Sequence, residues 1–113
     1  REMQGVFYNS SCVGYIALSD QDNKTKYKMY VYDDSGKLKS EMDYADSFEK
    51  IYATENEIIV LGDMDCSIFR LNGSRKFQHS FKKNLVNVVP DSNKEEYVVI
   101  FENETQAIQL KGM

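Results

Sequence analysis

Residues 57–81 read EIIVLGDMDCSIFRLNGSRKFQHSF, and the second half of that stretch, RLNGSRKFQHSF at 70–81, rewrites DDSGKLKSEMDY at 33–44. At an offset of 37, Val31 falls on Ile68, Tyr32 on Phe69, Gly36 on Gly73 and Tyr44 on Phe81, and the match runs on to Phe48 with Leu85 and Ile51 with Val88. A third copy follows at an offset of 39, where Ile68 meets Ala107, Phe69 meets Ile108, Leu71 meets Leu110 and Gly73 meets Gly112. Upstream, GYIALSD ending at Asp20 parallels IIVLGD ending at Asp63.

Within the middle copy, apolar or β-branched runs alternate with turn residues: FEKIYA, TEN, EIIVLG, DMD, CSIFRL, NGS and RKFQHSF. This is the pattern of four short strands joined by tight turns. The glycine of the last turn fits a backbone position with positive φ, where a Cβ would clash. In the first copy Ser35 and Gly36 fill that turn, and the third copy supplies LVNVVP, EYVVIFE and TQAIQLK, with no fourth strand. The second strands, YIALS, EIIVL and YVVIF, are continuously apolar, which predicts burial on both faces. A small antiparallel sheet covered on both sides and repeated every 37–43 residues is what stacked four-stranded propeller blades require. The expected fold is therefore all-β, with antiparallel four-stranded meanders forming a partial β-propeller of about three blades. The copies span about 4–44, 45–81 and 82–113. A β-sandwich or barrel with accidental self-similarity is the alternative. The expected core contains Ile16, Val31, Ile51, Ile59, Leu61, Ile68, Val88, Val99 and Phe101.

At 113 residues, 42% of them hydrophobic and 28% charged, the chain suits one globular unit. Fourteen aromatics and a single proline argue against disorder. A net charge of −4 offers no basic field for a phosphate backbone, so no nucleic-acid role is expected. No apolar run is long enough to span a bilayer as a helix, so this segment is not expected to be membrane-embedded. Cys12 and Cys66 lie 54 residues apart, outside any CxxC pattern, and read as buried thiols, with a disulfide as the other reading.

Few residues carry a chemical signal. SDQDNKTK at 19–26 spaces Asp20 and Asp22 like the start of a calcium loop, but Val31 stands where the closing Glu would be, so a solvated turn is the better reading. DDSG at 33–36 is similar to the Asp-box of sialidase propellers, but Tyr32 stands in place of its hydroxyl residue and the box is structural there. His79, the single histidine, falls on an outer strand without a partner for nucleophilic chemistry. Sequons at Asn9, Asn23, Asn72 and Asn103 all fall in turns. KEEY at 94–97 and the Lys82–Lys83 pair read as solvated charge. Three acidic tips, Asp20 with Asp22, Asp63 with Asp65, and Glu102 with Glu104, occupy equivalent turns between second and third strands and would share one face as an interaction surface. No catalytic residue, cofactor or metal is indicated.

The motif of an apolar-aromatic pair, a short polar turn, Gly-Lys or Gly-Ser and a charged outer strand resembles propeller families that write a blade as vYdxxGk. EIIVLGDMDCSIFRLNGSRKFQHSF and the ending YVVIFENETQAIQLKG also resemble an uncharacterised bacterial family. Its members carry a short N-terminal tail, one transmembrane helix and a propeller-like extracytoplasmic domain. The resemblance implies that this chain is the C-terminal part of such a domain, extracytoplasmic and anchored by an upstream segment. It brings no substrate and no functional residues. Two functions are therefore expected as alternatives. One is a non-catalytic binding or protein-interaction module for a protein or carbohydrate ligand; the other is part of a glycosidase-like propeller enzyme whose active site lies in other blades. An arc of three copies leaves its end faces bare, so a homodimer through the terminal copies is a further expectation.

Overall fold

The computed structural model describes residues 2–18, 27–44, 48–90 and 96–109. Eleven strands make up the described residues, which contain no helix: β1 (Glu2–Tyr8), β2 (Cys12–Leu18), β3 (Tyr27–Asp33), β4 (Leu38–Tyr44), β5 (Lys50–Ala53), β6 (Glu57–Leu61), β7 (Asp65–Arg70), β8 (Arg75–Ser80), β9 (Leu85–Pro90), β10 (Glu96–Phe101) and β11 (Thr105–Gln109). They form three separate antiparallel meanders, β1-β2-β3-β4, β5-β6-β7-β8 and β9-β10-β11, and no barrel closes. The three sheets match the three sequence copies, and the third has three strands among the described residues.

The repeated phrase is the hairpin between third and fourth strands. In the first sheet Asp33 N–H donates to the Lys37 carbonyl at 2.9 Å and Gly36 N–H to the Asp33 carbonyl at 3.0 Å. In the second, Arg70 N–H donates to Ser74 at 2.8 Å and Gly73 N–H to Arg70 at 3.0 Å. Gly36 and Gly73 both take positive φ, +87° and +99°. The strand register slips at the same place in both, between Val31 and Tyr32 and between Ile68 and Phe69. Two equal turns thus close with equal bulges, the arrangement that a glycine at positive φ permits. The equivalent turn glycine of the third copy, Gly112, lies outside the described residues.

The sheets pack face to face through two cores. Phe7, Ile16, Met29, Val31, Met42 and Tyr44 of the first sheet meet Ile58, Val60 and Phe69 of the second. On the other face of the second sheet, Ile59, Leu61, Cys66 and Ile68 meet Val88, Tyr97, Val99 and Phe101 of the third. Because side chains alternate along a strand, the residues of β6 divide between both cores, and Ile58 to Leu61 are buried without a break. The continuous apolar run is therefore matched by double burial in β6. In β10 the expectation is corrected: half-buried and buried positions alternate from Glu96 to Phe101, because the third sheet packs against a neighbouring sheet on one face. In the YIALS run of β2, Tyr15 is half-buried and Ile16 and Ala17 are buried, and the burial of residues 18 and 19 lies outside what is described. Ile51 is likewise half-buried rather than fully buried, because it lies on β5, the short edge strand of its sheet. The other eight expected core residues are buried.

Polar ties lock the stack at its turns. Asn9 Nδ2 donates to the Thr54 carbonyl at 2.6 Å, Ser10 Oγ to the Glu55 carboxylate at 2.8 Å, and Ser40 Oγ to the Leu71 carbonyl at 3.0 Å, each joining the first sheet to the second.

Candidate functional site

The strand registers build one surface from the outward side chains of the first sheet. Tyr8 pairs with Val13, Val13 with Tyr32 and Tyr32 with Leu38, forming one row across all four strands. The adjacent row runs Val6, Tyr15, Tyr30, Glu41. Val6, Tyr8, Val13 and Leu38 are 54%, 73%, 46% and 47% exposed, so the surface is apolar and open. Tyr15 stacks on Tyr30 with ring centroids 4.9 Å apart and lies nearly parallel to Tyr32 at 6.3 Å. A hydrogen bond with the Tyr15 side chain, with lesser contributions from desolvation and from the nearby Tyr15, Tyr30 and Glu41, holds the Tyr32 phenol above its usual range. Tyr30 is buried beneath its neighbours and Tyr15 and Tyr32 are half-buried, so the rings lean on one another and present edges more than a flat open platform for a sugar ring.

The outer face of the third sheet is smaller. Val89 pairs with Val98, and Asn87 with Ile100, opposite in sense to the buried pair Val88 and Val99. Val89 is 38% exposed, with Val98 and Ile100 half-buried.

The acidic tips sit at turn ends. Asp63, Glu102 and Glu104 are exposed and Asp65 is half-buried; Asp20 and Asp22 lie outside the described residues. The connector between β8 and β9 runs between two of these turns: Phe81 N–H donates to Met64, Leu85 N–H to Asp63, and Glu102 N–H to Asn84, at 2.9, 2.8 and 3.2 Å. Lys82, with φ +62°, bends that connector. Lys83 Nζ pairs with Glu104 at 2.9 Å and lies 5.2 Å from the centre of the Phe101 ring, and Asn84 Nδ2 donates to Glu102. The Asp63 turn and the Glu102–Glu104 turn thus share one rim, with Lys82 and Lys83 between them. The Lys82–Lys83 pair, which reads in sequence as plain solvated charge, supplies the counter-ion of Glu104.

Glu49 shares a side-chain hydrogen bond with Asp63, which raises the Glu49 carboxyl above its usual range, with the Asp63 charge and slight desolvation adding to it. Two carboxyls in direct contact leave no room for a glycosidic bond or a water between them, so this pair lacks the separation of a glycosidase pair.

A cluster that sequence reading missed lies between the second and third sheets. Tyr97 donates its hydroxyl to Glu57, Lys76 Nζ pairs with the same carboxylate, and Lys76 donates to the Tyr97 hydroxyl at 3.2 Å. Glu57 and Lys76 keep only 12% and 14% of their side chains exposed. The one signal for it was a Glu opening the apolar run EIIVL; Lys76 carried none, and Tyr97, which reads in sequence as the end of the solvated KEEY run, is instead buried in the second core. The cluster bolts two sheets together and saturates its own charges.

His79 is exposed on β8, the outermost strand of its sheet, edge-on to Phe81 at 4.7 Å. Cys12 and Cys66 are free buried thiols in different cores. Burial pushes the Cys66 thiol up to about 12. Among the described residues no group of three His, Cys, Asp or Glu could hold a metal ion. No helix among them is long and apolar enough to cross a membrane.

The chain belongs to a family of unknown function, DUF5711, whose model matches residues 1–110. No curated protein matches its sequence.

Proposed function

We propose that this chain is a non-catalytic protein-interaction module, a partial β-propeller within an extracytoplasmic bacterial protein. The observation that carries the reading is the contrast between sheets. The middle sheet is buried on both faces, whereas the first and third each keep an apolar outer face. Exposed apolar surface of this extent on a β-sheet marks a place where another polypeptide packs. The ridge of Tyr15, Tyr30 and Tyr32 favours a protein surface over a carbohydrate, since its ring faces are engaged with each other. The extracytoplasmic setting rests on the sequence resemblance alone.

The test is site-specific photo-crosslinking in the cells that make the protein. A benzophenone amino acid at Val13, on the apolar face, is expected to give a discrete adduct with a polypeptide. The same probe at Asp34, on an exposed turn, is expected to give none. Equal or absent crosslinking at the two positions overturns the reading, and selective retention of a glycan on an array by the purified chain replaces it with a carbohydrate ligand.

A further inference from the structure

The hairpin tip at 70–74 differs from its twin in one chemical respect. The first copy reads Asp33-Asp34-Ser35-Gly36, whereas the second places an asparagine directly before the turn glycine, Asn72-Gly73. Asn72 is exposed, and its Oδ1 accepts two hydrogen bonds from Ser74, from the backbone N–H at 3.0 Å and from the hydroxyl at 2.8 Å. The Ser74 hydroxyl in turn accepts from the Arg70 guanidinium at 3.4 Å. A cation thus stands at the end of a donor chain aimed at the Asn72 carbonyl oxygen, which polarises that carbonyl and makes its carbon more open to attack. The backbone nitrogen next in sequence belongs to a residue with no side chain to shield it.

We infer that Asn72 is a site of self-modification, where the chain converts its own asparagine through a cyclic imide into aspartyl and isoaspartyl products. The Gly73 nitrogen loses its proton to solvent base and bonds to Cγ of Asn72, while the Cγ–Nδ2 bond breaks and ammonia leaves with a proton from water. Water then opens the ring. Cleavage of the new Cγ–N bond leaves aspartate, and cleavage of the original backbone bond leaves the chain running through Cγ as isoaspartate. Negative charge gathers on Oδ1 in the addition step, where the Ser74 donors and Arg70 behind them stabilise it. The Gly73 N–H donates to the Arg70 carbonyl at 3.0 Å and must be released first. One hydrogen bond at an exposed hairpin tip opens readily and slows the reaction by no more than about tenfold. The other described asparagines lack this combination. Asn9 is pinned at both ends, with Nδ2 on the Thr54 carbonyl and Oδ1 on two backbone N–H groups, and the rest are followed by Glu, Leu or Val. The isoaspartyl linkage lengthens the backbone beside Leu71, whose carbonyl receives Ser40 Oγ from the first sheet, so the product loosens that tie.

The test is peptide mapping by mass spectrometry on the folded chain, fresh and aged at mildly alkaline pH, with isoaspartate identified by its specific methyltransferase. Asn72 is expected to convert at least about tenfold faster than Asn9, Asn56 or Asn84 and to yield both products. Ser74→Ala, checked by circular dichroism for an unchanged β spectrum, keeps the Asn-Gly pair but cuts the link to Arg70, and should slow conversion at least about threefold. The aged chain should melt below the fresh one and below Asn72→Asp, which carries the new charge on an ordinary backbone. Conversion at Asn72 no faster than at Asn9, aspartate without isoaspartate, or an undiminished rate in Ser74→Ala each overturns the inference. Equal melts for the aged chain and Asn72→Asp would overturn the loosening of the sheet tie.

Discussion

The ring of Phe7 lies against Gly14, its direct partner across the β1–β2 pair, so closely that a Cβ at residue 14 would sit 2.4 Å from the phenyl Cζ. The same Cβ would come within 2.5 Å of the Tyr30 carbonyl oxygen on the next strand. The ring can turn away, but the backbone carbonyl of a paired strand cannot. Gly14→Ala should therefore cost about 2 kcal/mol or more through overpacking. Urea denaturation of the variant measures this, and a loss below about 0.5 kcal/mol would mean that the first core has slack the structure does not show.

The twin turns make a comparative prediction. Nothing lies within 4 Å of a Cβ at Gly36, and at Gly73 the nearest atoms, on Ser40 and Met42, stand at an ordinary 3.5 Å. Steric room is ample at both, and only the positive φ resists a side chain. Gly36→Ala and Gly73→Ala should each cost about 1–2 kcal/mol, and by the same amount within error. Unequal costs in thermal melts would separate turns that the backbone makes alike.

Ile59 is fully buried in the core between the second and third sheets. Its truncation to alanine should cost about 2–5 kcal/mol through the cavity left behind. Val98→Ala, on the half-exposed face of β10, should cost less than half as much. Equal losses in urea would place Val98 in a packed interior.

Cys66 and Tyr52 share the second core and resist ionisation. Burial raises the Cys66 thiol to about 12, and burial with the neighbouring Cys66 raises the Tyr52 phenol above its usual value. Below about pH 9 the thiol is neutral in both folded and unfolded chains. Between about pH 9 and 12 the unfolded chain releases the proton while the folded one retains it, so stability falls by up to about 1.4 kcal/mol per pH unit. Melts from pH 8 to 11 should show this decline, and Cys66→Ala should flatten its slope while lowering the plateau. An unchanged slope in that variant would assign the alkaline loss elsewhere.

The Tyr52 hydroxyl is also buried with no hydrogen-bond partner among the described residues, and an unmet buried hydroxyl costs about 1–3 kcal/mol. Tyr52→Phe should therefore be neutral or raise stability by about 1 kcal/mol, whereas Tyr97→Phe, which strips a donor from the half-buried Glu57, should lower it by a similar amount. A calorimetric comparison of the two variants checks the opposite signs. A destabilised Tyr52→Phe would reveal a partner for that hydroxyl.

The sequence by itself determined the strands, the turns and the division into three copies. These depend on local chemistry: a glycine where φ must be positive, polar triplets between apolar runs, and a residue offset that places Tyr32 on Phe69 and Gly36 on Gly73. The acidic turn residues were legible for the same reason, since Asp63 and Glu102 follow directly from where the strands end. Only the tertiary structure decided which faces are covered. EIIVL and YVVIF carry the same apolar signal, yet β6 is buried without a break from Ile58 to Leu61 while β10 alternates, because the second sheet has a sheet on either side. The pairing of Lys83 with Glu104, the Glu57–Lys76–Tyr97 bolt and the alignment of Tyr15 with Tyr30 and Tyr32 were equally invisible, because each joins residues from different strands or loops through register and sheet stacking. Periodicity specifies which side of its strand a side chain occupies, and only packing specifies what stands opposite.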